Sequence, residues 1–154
     1  MAITKVTSSV LDVDIPAYKA FGSDSIMIGD TTTGTIDAAN FNVGLGVNVF
    51  AALTSGDDNV AVGYGALTAN TTGSDNVAIG KVALDANTTA SNNTAVGNAS
   101  MTANTTGASN TAVGSSSLNA NTTAANNTAI GYASLEANTT GTRNTAVGAG
   151  GLDS

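Results

Sequence analysis

The chain has 154 residues, of which only 10% are charged and 4% are aromatic, and its net charge at pH 7 is −7. The acidic balance excludes nucleic acid and anionic membrane surfaces as partners, because affinity for phosphate groups comes from Lys and Arg, and no stretch is long and apolar enough to span a membrane. The chain has no His and no Cys, so it lacks the commonest general base and every thiolate metal ligand.

Residues 1–24 form the first unit of the chain, and they carry no repeat. The segment contains the only proline, Pro16, and two of the four basic residues, Lys5 and Lys19. It is also rich in large apolar residues, namely Val6, Val10, Leu11, Ile15, Tyr18 and Phe21. Because only this segment is free to carry a non-repetitive surface, we expect it to attach the chain to a partner. The alternative is that it folds back to cap the first turn, and the two roles can coexist.

Residues 25–154 form the second unit, a repeat with a period of 17 residues and no insertions. The motif Asn-x-Ala-(Val/Ile)-Gly begins at Asn59 and returns at Asn76, Asn93, Asn110, Asn127 and Asn144. One step back gives Asn42-Val43-Gly44-Leu45-Gly46, and a second step back gives Ser25. Taking these residues as position 1, the chain contains seven full turns and a partial eighth. A repeat of small residues at a fixed period is typical of stacked, identical units.

The columns of the repeat have the periodicity of strands. Position 4 is always Val, Ile or Leu, position 5 is always Gly, and position 9 is a large apolar residue from Phe50 onward. Positions 2 and 4 share one face of an extended segment, as do positions 9 (Leu) and 11 (Ala). We therefore predict two strands per turn, at positions 2–4 and 9–11, with positions 4 and 9 facing the core.

These features predict an all-β fold, a parallel β-solenoid (β-roll) of 17-residue turns. Turns stacked at about 4.8 Å would form a rod about 38 Å long. A helical solenoid is disfavoured, because helical repeats need about 33 residues or more and Gly with Asn-Thr-Thr in each turn would break a helix. The last turn carries no polar cap, so we expect the natural chain to continue or another element to cover that end.

Position 3 holds alanine in six consecutive turns, from Ala61 to Ala146. On this assignment the column faces outward, opposite position 4, and its methyl groups would allow close approach of another subunit. We therefore expect an oligomer.

The repeat Asn-Thr-Ala-Val-Gly-x-x-Ser-Leu-x-Ala-Asn-Thr-Thr-Gly resembles arrays in tail-fibre and other virion proteins of tailed bacteriophages. The opening Met1-Ala2-Ile3-Thr4-Lys5-Val6-Thr7 is similar to the start of such proteins from marine phages. The turns also resemble the heads of trimeric autotransporter adhesins, which are left-handed parallel β-rolls. The resemblance implies a left-handed homotrimer located in the virion, whose residues 1–24 dock to other virion proteins and whose surface can meet a host receptor.

Three features of the repeat suggest other functions. Asp58 and Asp75, with Asp57 beside them, lie about one turn apart, close to the spacing of the carboxylates in retaining glycosidases. They sit in a turn without an aromatic platform, so solvated charges are the better interpretation. Threonine columns begin at Thr71 and at Thr94. Similar columns are known on ice-binding solenoids, although Thr also stacks well in turns. The Asn-Thr-Thr triplets match a glycosylation sequon, but the repeat alone explains them.

The sequence thus predicts a structural virion protein, a stiff fibre or appendage subunit for host attachment or particle decoration, with no catalytic, cofactor-binding or metal-binding residues. An ice-binding or adhesive solenoid and a polysaccharide-degrading tailspike are the alternatives. Thermal hysteresis would identify the former, and release of sugar from host polysaccharide the latter.

Overall fold

The structure, a computed structural model, describes residues 38–151 and the strands at residues 18–19 and 26–29. Its nine strands are β1 Tyr18–Lys19, β2 Ile26–Gly29, β3 Val43–Gly46, β4 Val60–Val62, β5 Val77–Ile79, β6 Thr94–Val96, β7 Thr111–Val113, β8 Thr128–Ile130 and β9 Thr145–Val147. The remainder of the 1–24 segment, most of the first turn and residues 152–154 lie outside the described residues, so the expected attachment role of residues 1–24 stays a prediction.

The strands form one sheet in chain order, and the predicted fold class is confirmed. Neighbours from β2 to β9 are parallel, and each residue pairs with the residue 17 positions later, as Val60 pairs with Val77. The first strand differs, because β1 runs antiparallel to β2. No helix occurs among the described residues. The chain is therefore a parallel β-solenoid in which position 2–4 of every turn supplies one strand.

The second predicted strand, at positions 9–11, is wrong. These residues lie in turns, and the position-9 residues have left-handed backbone conformations, with φ near 51° at Leu67 and Leu84. Their backbone groups still pair between turns: Leu67 N–H donates to Ala83 O at 3.1 Å, and Ala69 N–H donates to Asp85 O at 3.0 Å. Inter-turn pairing therefore satisfies the backbone without an extended segment, and the coiled path lets the chain bend around its core.

The inward direction of position 9 is confirmed, but that of position 4 is wrong. Leu67, Leu84 and Leu118 are fully buried, whereas Ile79 is 39% exposed and Val147 is 73% exposed. Position 11, predicted to share the inward face of position 9, is half-buried to exposed. The interior instead holds the position-3 residues, which we call the inner alanine column: Ala61, Ala78, Ala95, Ala112, Ala129 and Ala146. The column predicted to contact another subunit is thus part of the core.

The width of the interior explains this inversion. In the turns of β4 to β8, the wall opposite the strands carries the position-9 side chains and the small residues at position 8, such as Ala83 and Ser100, all of them buried. This wall lies against the strand backbone: Ser100 Oγ donates to Ala112 O at 3.2 Å, and Ser117 Oγ donates to Ala129 O at 3.0 Å. Only a methyl group fits at position 3 beneath such a close wall, so the larger Val and Ile side chains point outward.

Two columns of asparagine fill the rest of the interior. At position 1, Asn76 N–H donates to Asn59 Oδ1 at 3.0 Å, and the same contact recurs in the next turns. At position 12, Asn104 Nδ2 donates to Asn87 Oδ1 at 3.1 Å. The two columns meet at position 15, where Gly73 O accepts from both Asn59 Nδ2 and Asn70 Nδ2 at 2.9 Å. Most buried amides are therefore paired along the stack, which removes most of their desolvation cost; among the described residues, Asn127 Nδ2 is the buried side-chain polar atom without a hydrogen-bond partner.

Glycine at position 5 permits the close stacking of turns. Gly97 has φ of 143°, a conformation that L side chains rarely adopt. A Cβ atom built on Gly97 would lie 2.3 Å from Gly114 O, so the next turn leaves no room for a side chain. The invariance of this glycine along the repeat follows from both constraints.

Candidate functional site

The outward side of the sheet is a repetitive, largely apolar surface of the described chain. We call it the outer face, and it consists of positions 2 and 4 of strands β3–β9. Position 2 carries Val43, Val60 and Val77 and then threonine from Thr94 onward, while position 4 is aliphatic throughout. Leu45 is 48% exposed and Ile130 is 40% exposed. The face carries no charged residue in any of these strands, and at about 4.8 Å per strand it is about 29 Å long.

Further exposed residues border the outer face at position 6, two residues beyond its aliphatic column. Val47, Tyr64 and Tyr132 are all exposed there, and Lys81 occupies the same position one turn after Tyr64. Phe41, just before β3, is exposed as well. Monomeric soluble proteins rarely leave contiguous apolar surface of this kind open to water. The outer face is therefore the candidate interaction site of the roll.

Sequence reasoning missed this face because it placed the Val and Ile column inside. One signal in the sequence points to the correct assignment. Position 3 is alanine in six successive turns, whereas position 2 changes from Val to Thr and position 4 varies among Val, Ile and Leu. A position that accepts one size alone is typical of a tight interior, while exposed positions tolerate exchange.

The acidic residues do not form an enclosed site. Asp58 and Asp75 are exposed, and both have left-handed backbone conformations, with φ of 57° and 58°. Asp57 Oδ1 accepts from Asn40 N–H at 2.7 Å, so this carboxylate caps a neighbouring turn. Within the described residues, no group of three or more His, Cys, Asp or Glu residues is placed to hold a metal ion. The column thus has the geometry of solvated turn residues.

The threonine columns divide into two kinds. At position 13, Thr71 Oγ1 donates to Thr88 O at 3.0 Å, and Thr88 Oγ1 donates to Thr105 O at 3.2 Å. These hydroxyl groups are therefore used to hold successive turns together. The position-2 column, from Thr94 to Thr145, lies on the outer face instead, where its side chains are half-buried or exposed.

The Asn-Thr-Thr triplets place their asparagines in the core. Asn70, Asn87, Asn104 and Asn121 are fully buried. Asn121 Nδ2 donates both to Asn104 Oδ1 at 2.9 Å and to Ala124 O at 3.0 Å. An amide nitrogen that is buried and donates two hydrogen bonds cannot accept a glycan while the roll is folded. These four sequons are therefore structural.

An open depression of about 320 Å³ lies at the last described turn, lined by Leu135, Ala137, Asn138, Thr139, Thr140, Gly141 and Asn144. No charged side chain lines it. All of its lining residues come from one stretch of the chain, between Leu135 and Asn144.

Across the described residues, no helix combines the length and the apolar character needed to cross a lipid bilayer. Comparison of the chain with models of protein families, with curated proteins and with solved structures gives no match.

Proposed function

We propose that the chain is a structural rod subunit of a virion appendage, of the bacteriophage tail-fibre type, and that three copies associate along their outer faces. The observation that carries the proposal is the combination of in-register stacking with an uncharged aliphatic stripe along strands β3–β9. Every pair of strands from β2 to β9 keeps the 17-residue register. A rod without interruption suits a spacer that holds two ends of an assembly apart.

The interior supports the rod role through its continuous ladders. Position-1 asparagines are linked from Asn42 to Asn144 by bonds of 2.9–3.0 Å. Each turn is thus joined to the next by three kinds of hydrogen bond. These are backbone hydrogen bonds, hydrogen bonds to the asparagine side-chain amides, and hydrogen bonds from the threonine hydroxyl groups at position 13. Stability in such an array is roughly a sum over turns and their interfaces, so bending one turn strains its neighbours.

Self-association follows from the outer face. Burial of a Val, Leu or Ile side chain stabilises an assembly by about 1.5–3 kcal/mol, and by less when the side chain is already half-buried. A second copy carries the same columns at the same spacing, so side chains from two faces can interdigitate along the full length. The number of three subunits comes from the resemblance to trimeric β-rolls. Residues 1–24 would then dock this assembly to other virion proteins, and exposed turn residues would face a host receptor.

Two experiments test the proposal. Immunogold electron microscopy of particles from the native source, with an antibody against the repeats, should label a fibre or appendage. Label on soluble, particle-free protein alone would contradict the virion role. Light scattering should give three times the mass of 14.9 kDa for the folded chain, and a monomeric mass at every concentration would remove the trimer.

Ice binding is the second candidate, and the threonine column of the outer face favours it. From β6 onward, Thr at position 2 and an aliphatic residue at position 4 repeat from strand to strand in the sheet. Such an array presents hydroxyl and methyl groups in a regular lattice. Thermal hysteresis that disappears in the Thr111→Asp variant would support ice binding over the rod role, whereas its absence in the parent would exclude it.

A further inference from the structure

Each strand of the outer face lies between two outward-facing residues, one before the strand and one after it. Position 17 precedes the strand and position 6 follows it, so the exposed residues Asp75 and Lys81 flank β5. We call the position-17 column the leading edge of the outer face and the position-6 column its trailing edge. Flanking residues are six positions apart, which is up to about 20 Å along a segment that contains the strand. The two edges therefore lie on opposite sides of one face, and their side chains do not meet within one copy.

The two edges match each other strand by strand. The flanking pairs from β3 to β9 are Phe41 with Val47, Asp58 with Tyr64, Asp75 with Lys81, Asn92 with Asn98, Ser109 with Ser115, Asn126 with Tyr132 and Arg143 with Ala149. The first pair is apolar on both edges, and the third has opposite charges. Lys81 is the only basic residue between Lys19 and Arg143, and it flanks the same strand as Asp75. The four remaining pairs before β9 all combine side chains that can form hydrogen bonds with each other.

The arrangement of two copies determines which edges meet. Rotation about an axis parallel to the rolls keeps each strand at the same height and brings the trailing edge of one copy against the leading edge of the next. An antiparallel arrangement brings trailing edge against trailing edge instead. Lys81 would then face uncharged residues alone, because no acid occurs at position 6 in the turns of β3 to β9. The charges of the two edges are therefore complementary in the parallel arrangement.

We propose that neighbouring copies meet in parallel and in register, with Lys81 paired to Asp75 of the next copy and the Tyr64 hydroxyl donating to Asp58 of the next copy. This pairing rests on the proposed association along the outer face and adds a specific contact to it. A second copy is the occupant because each edge finds its complement on the same chain, beside the same strand. Charge pairs at the rim of an apolar contact determine orientation and register more than affinity. The aliphatic columns thus supply the affinity, and the edges set the alignment.

The direct test reverses the charges of the proposed pair and follows association by sedimentation equilibrium at low salt. Lys81→Glu places two acids together at every contact and should weaken association at least about tenfold. Lys81→Glu/Asp75→Arg restores opposite charges and should recover most of the parent's association. Arg143 already occupies the leading edge with φ of 60°, so this backbone conformation accepts arginine. The control Lys81→Glu/Glu136→Arg has the same net charge but changes an exposed residue at position 10, so it should stay as weak as Lys81→Glu.

These results distinguish the edge pairing from the association on which it rests. Recovery in Lys81→Glu/Asp75→Arg and not in the control supports the pairing. Where the parent associates, an unchanged association in Lys81→Glu, or equal behaviour of the two double variants, would overturn the pairing and leave the contact through the outer face in place. A parent that is monomeric at every concentration would remove both.

A cross-linking experiment tests the same arrangement without reversing a charge. The chain has no cysteine, so Asn92→Cys/Asn98→Cys introduces the only thiols, at the two edges of β6, the middle strand of the outer face. A short bismaleimide should join copies of this double variant covalently and should leave each single variant unjoined. Cross-linking of Asn98→Cys alone would show that two trailing edges meet, as in an antiparallel arrangement. That result, or an associated double variant that does not cross-link, would overturn the proposal.

Discussion

The interior and the outer face of the roll are made from adjacent residues of the same strands, yet they differ in size and polarity. The interior holds alanine at position 3 and asparagine at positions 1 and 12, while the outer face holds Val, Ile, Leu and Thr. Most globular cores place their larger aliphatic residues inside. Here the position-9 column does so, together with Val49 and Leu53 in the turn of β3. The difference indicates that the narrow core fixes the geometry of one chain, and that the larger strand residues are available for contact between chains.

The largest effect is expected from a charge placed on either side of one strand. Ala95→Asp would bury a carboxylate without a partner in the inner alanine column, which costs about 3–5 kcal/mol. Val96→Asp places the same charge on the outer face, where water can solvate it, and should cost the isolated roll about 1 kcal/mol. Urea unfolding of dilute protein measures both. Equal losses of stability in the two variants would contradict the inside–outside assignment.

The next effect compares two glycines at position 5 of different turns. Gly97 and Gly148 have similar φ values, 143° and 135°. A Cβ on Gly97 would lie 2.3 Å from Gly114 O, whereas one on Gly148 meets nothing within 4 Å. Both alanine variants carry backbone strain of about 1–3 kcal/mol, and Gly97→Ala should lose about 1–3 kcal/mol more from the clash. Thermal unfolding of the pair isolates that clash, and identical melting temperatures would show that the turns are not so closely stacked.

A smaller effect is expected from the amide ladder. Asn104 Nδ2 donates to Asn87 Oδ1 and Gly107 O, and Asn104 Oδ1 accepts from Asn121 Nδ2 at 2.9 Å. Asn104→Ala leaves buried groups with fewer partners and should lower the free energy of unfolding by about 1–3 kcal/mol. Thr106→Ala, at an exposed position two residues later, should change it by less than about 0.5 kcal/mol. If the ladder adds nothing to stability, both variants should have the same free energy of unfolding.

The smallest effect concerns the two ends of the outer face. Position 2 is valine in β3–β5 and threonine in β6–β9. Val and Thr have similar shapes, so Val60→Thr and Thr111→Val should barely alter the fold of a single roll. They should shift self-association in opposite directions by about 1 kcal/mol, because a methyl group and a hydroxyl group differ in their cost of burial. Sedimentation equilibrium measures this shift, and a shift of the same sign in both variants would place these residues away from the contact.

The sequence predicted the repeat, its 17-residue period, the parallel stacking and the burial of the position-9 column. These follow from invariant spacing, because residues at one position of every turn must share one environment. The repeat spacing does not determine in the same way which face of the strand points into the core. Alternation shows that Ala95 lies on one face of the strand and that Thr94 and Val96 lie on the other. It does not show which face points into the core. That choice depends on how closely the opposite wall approaches, and Ser100 and Ser117 set this distance from another part of the turn.

The second strand was mispredicted for a related reason. Leu84 and Ala86 alternate with a polar residue as in a half-buried strand, yet Leu84 has φ of 51°. Secondary-structure propensities do not predict a leucine with positive φ, because this conformation is costly outside the stack. It is maintained here by bonds between turns, such as Leu84 N–H to Ser100 O at 3.1 Å. The threonine columns were predicted, while their hydrogen-bond partners depended on this path.

Sedimentation equilibrium of the parent and of Val113→Asp tests most directly whether the outer face joins copies of the chain. We predict a parent mass three times 14.9 kDa and a monomeric mass for Val113→Asp with the circular dichroism of the folded roll. Retention of the parent's mass by a folded Val113→Asp variant, or a monomeric parent at every concentration, would contradict the account.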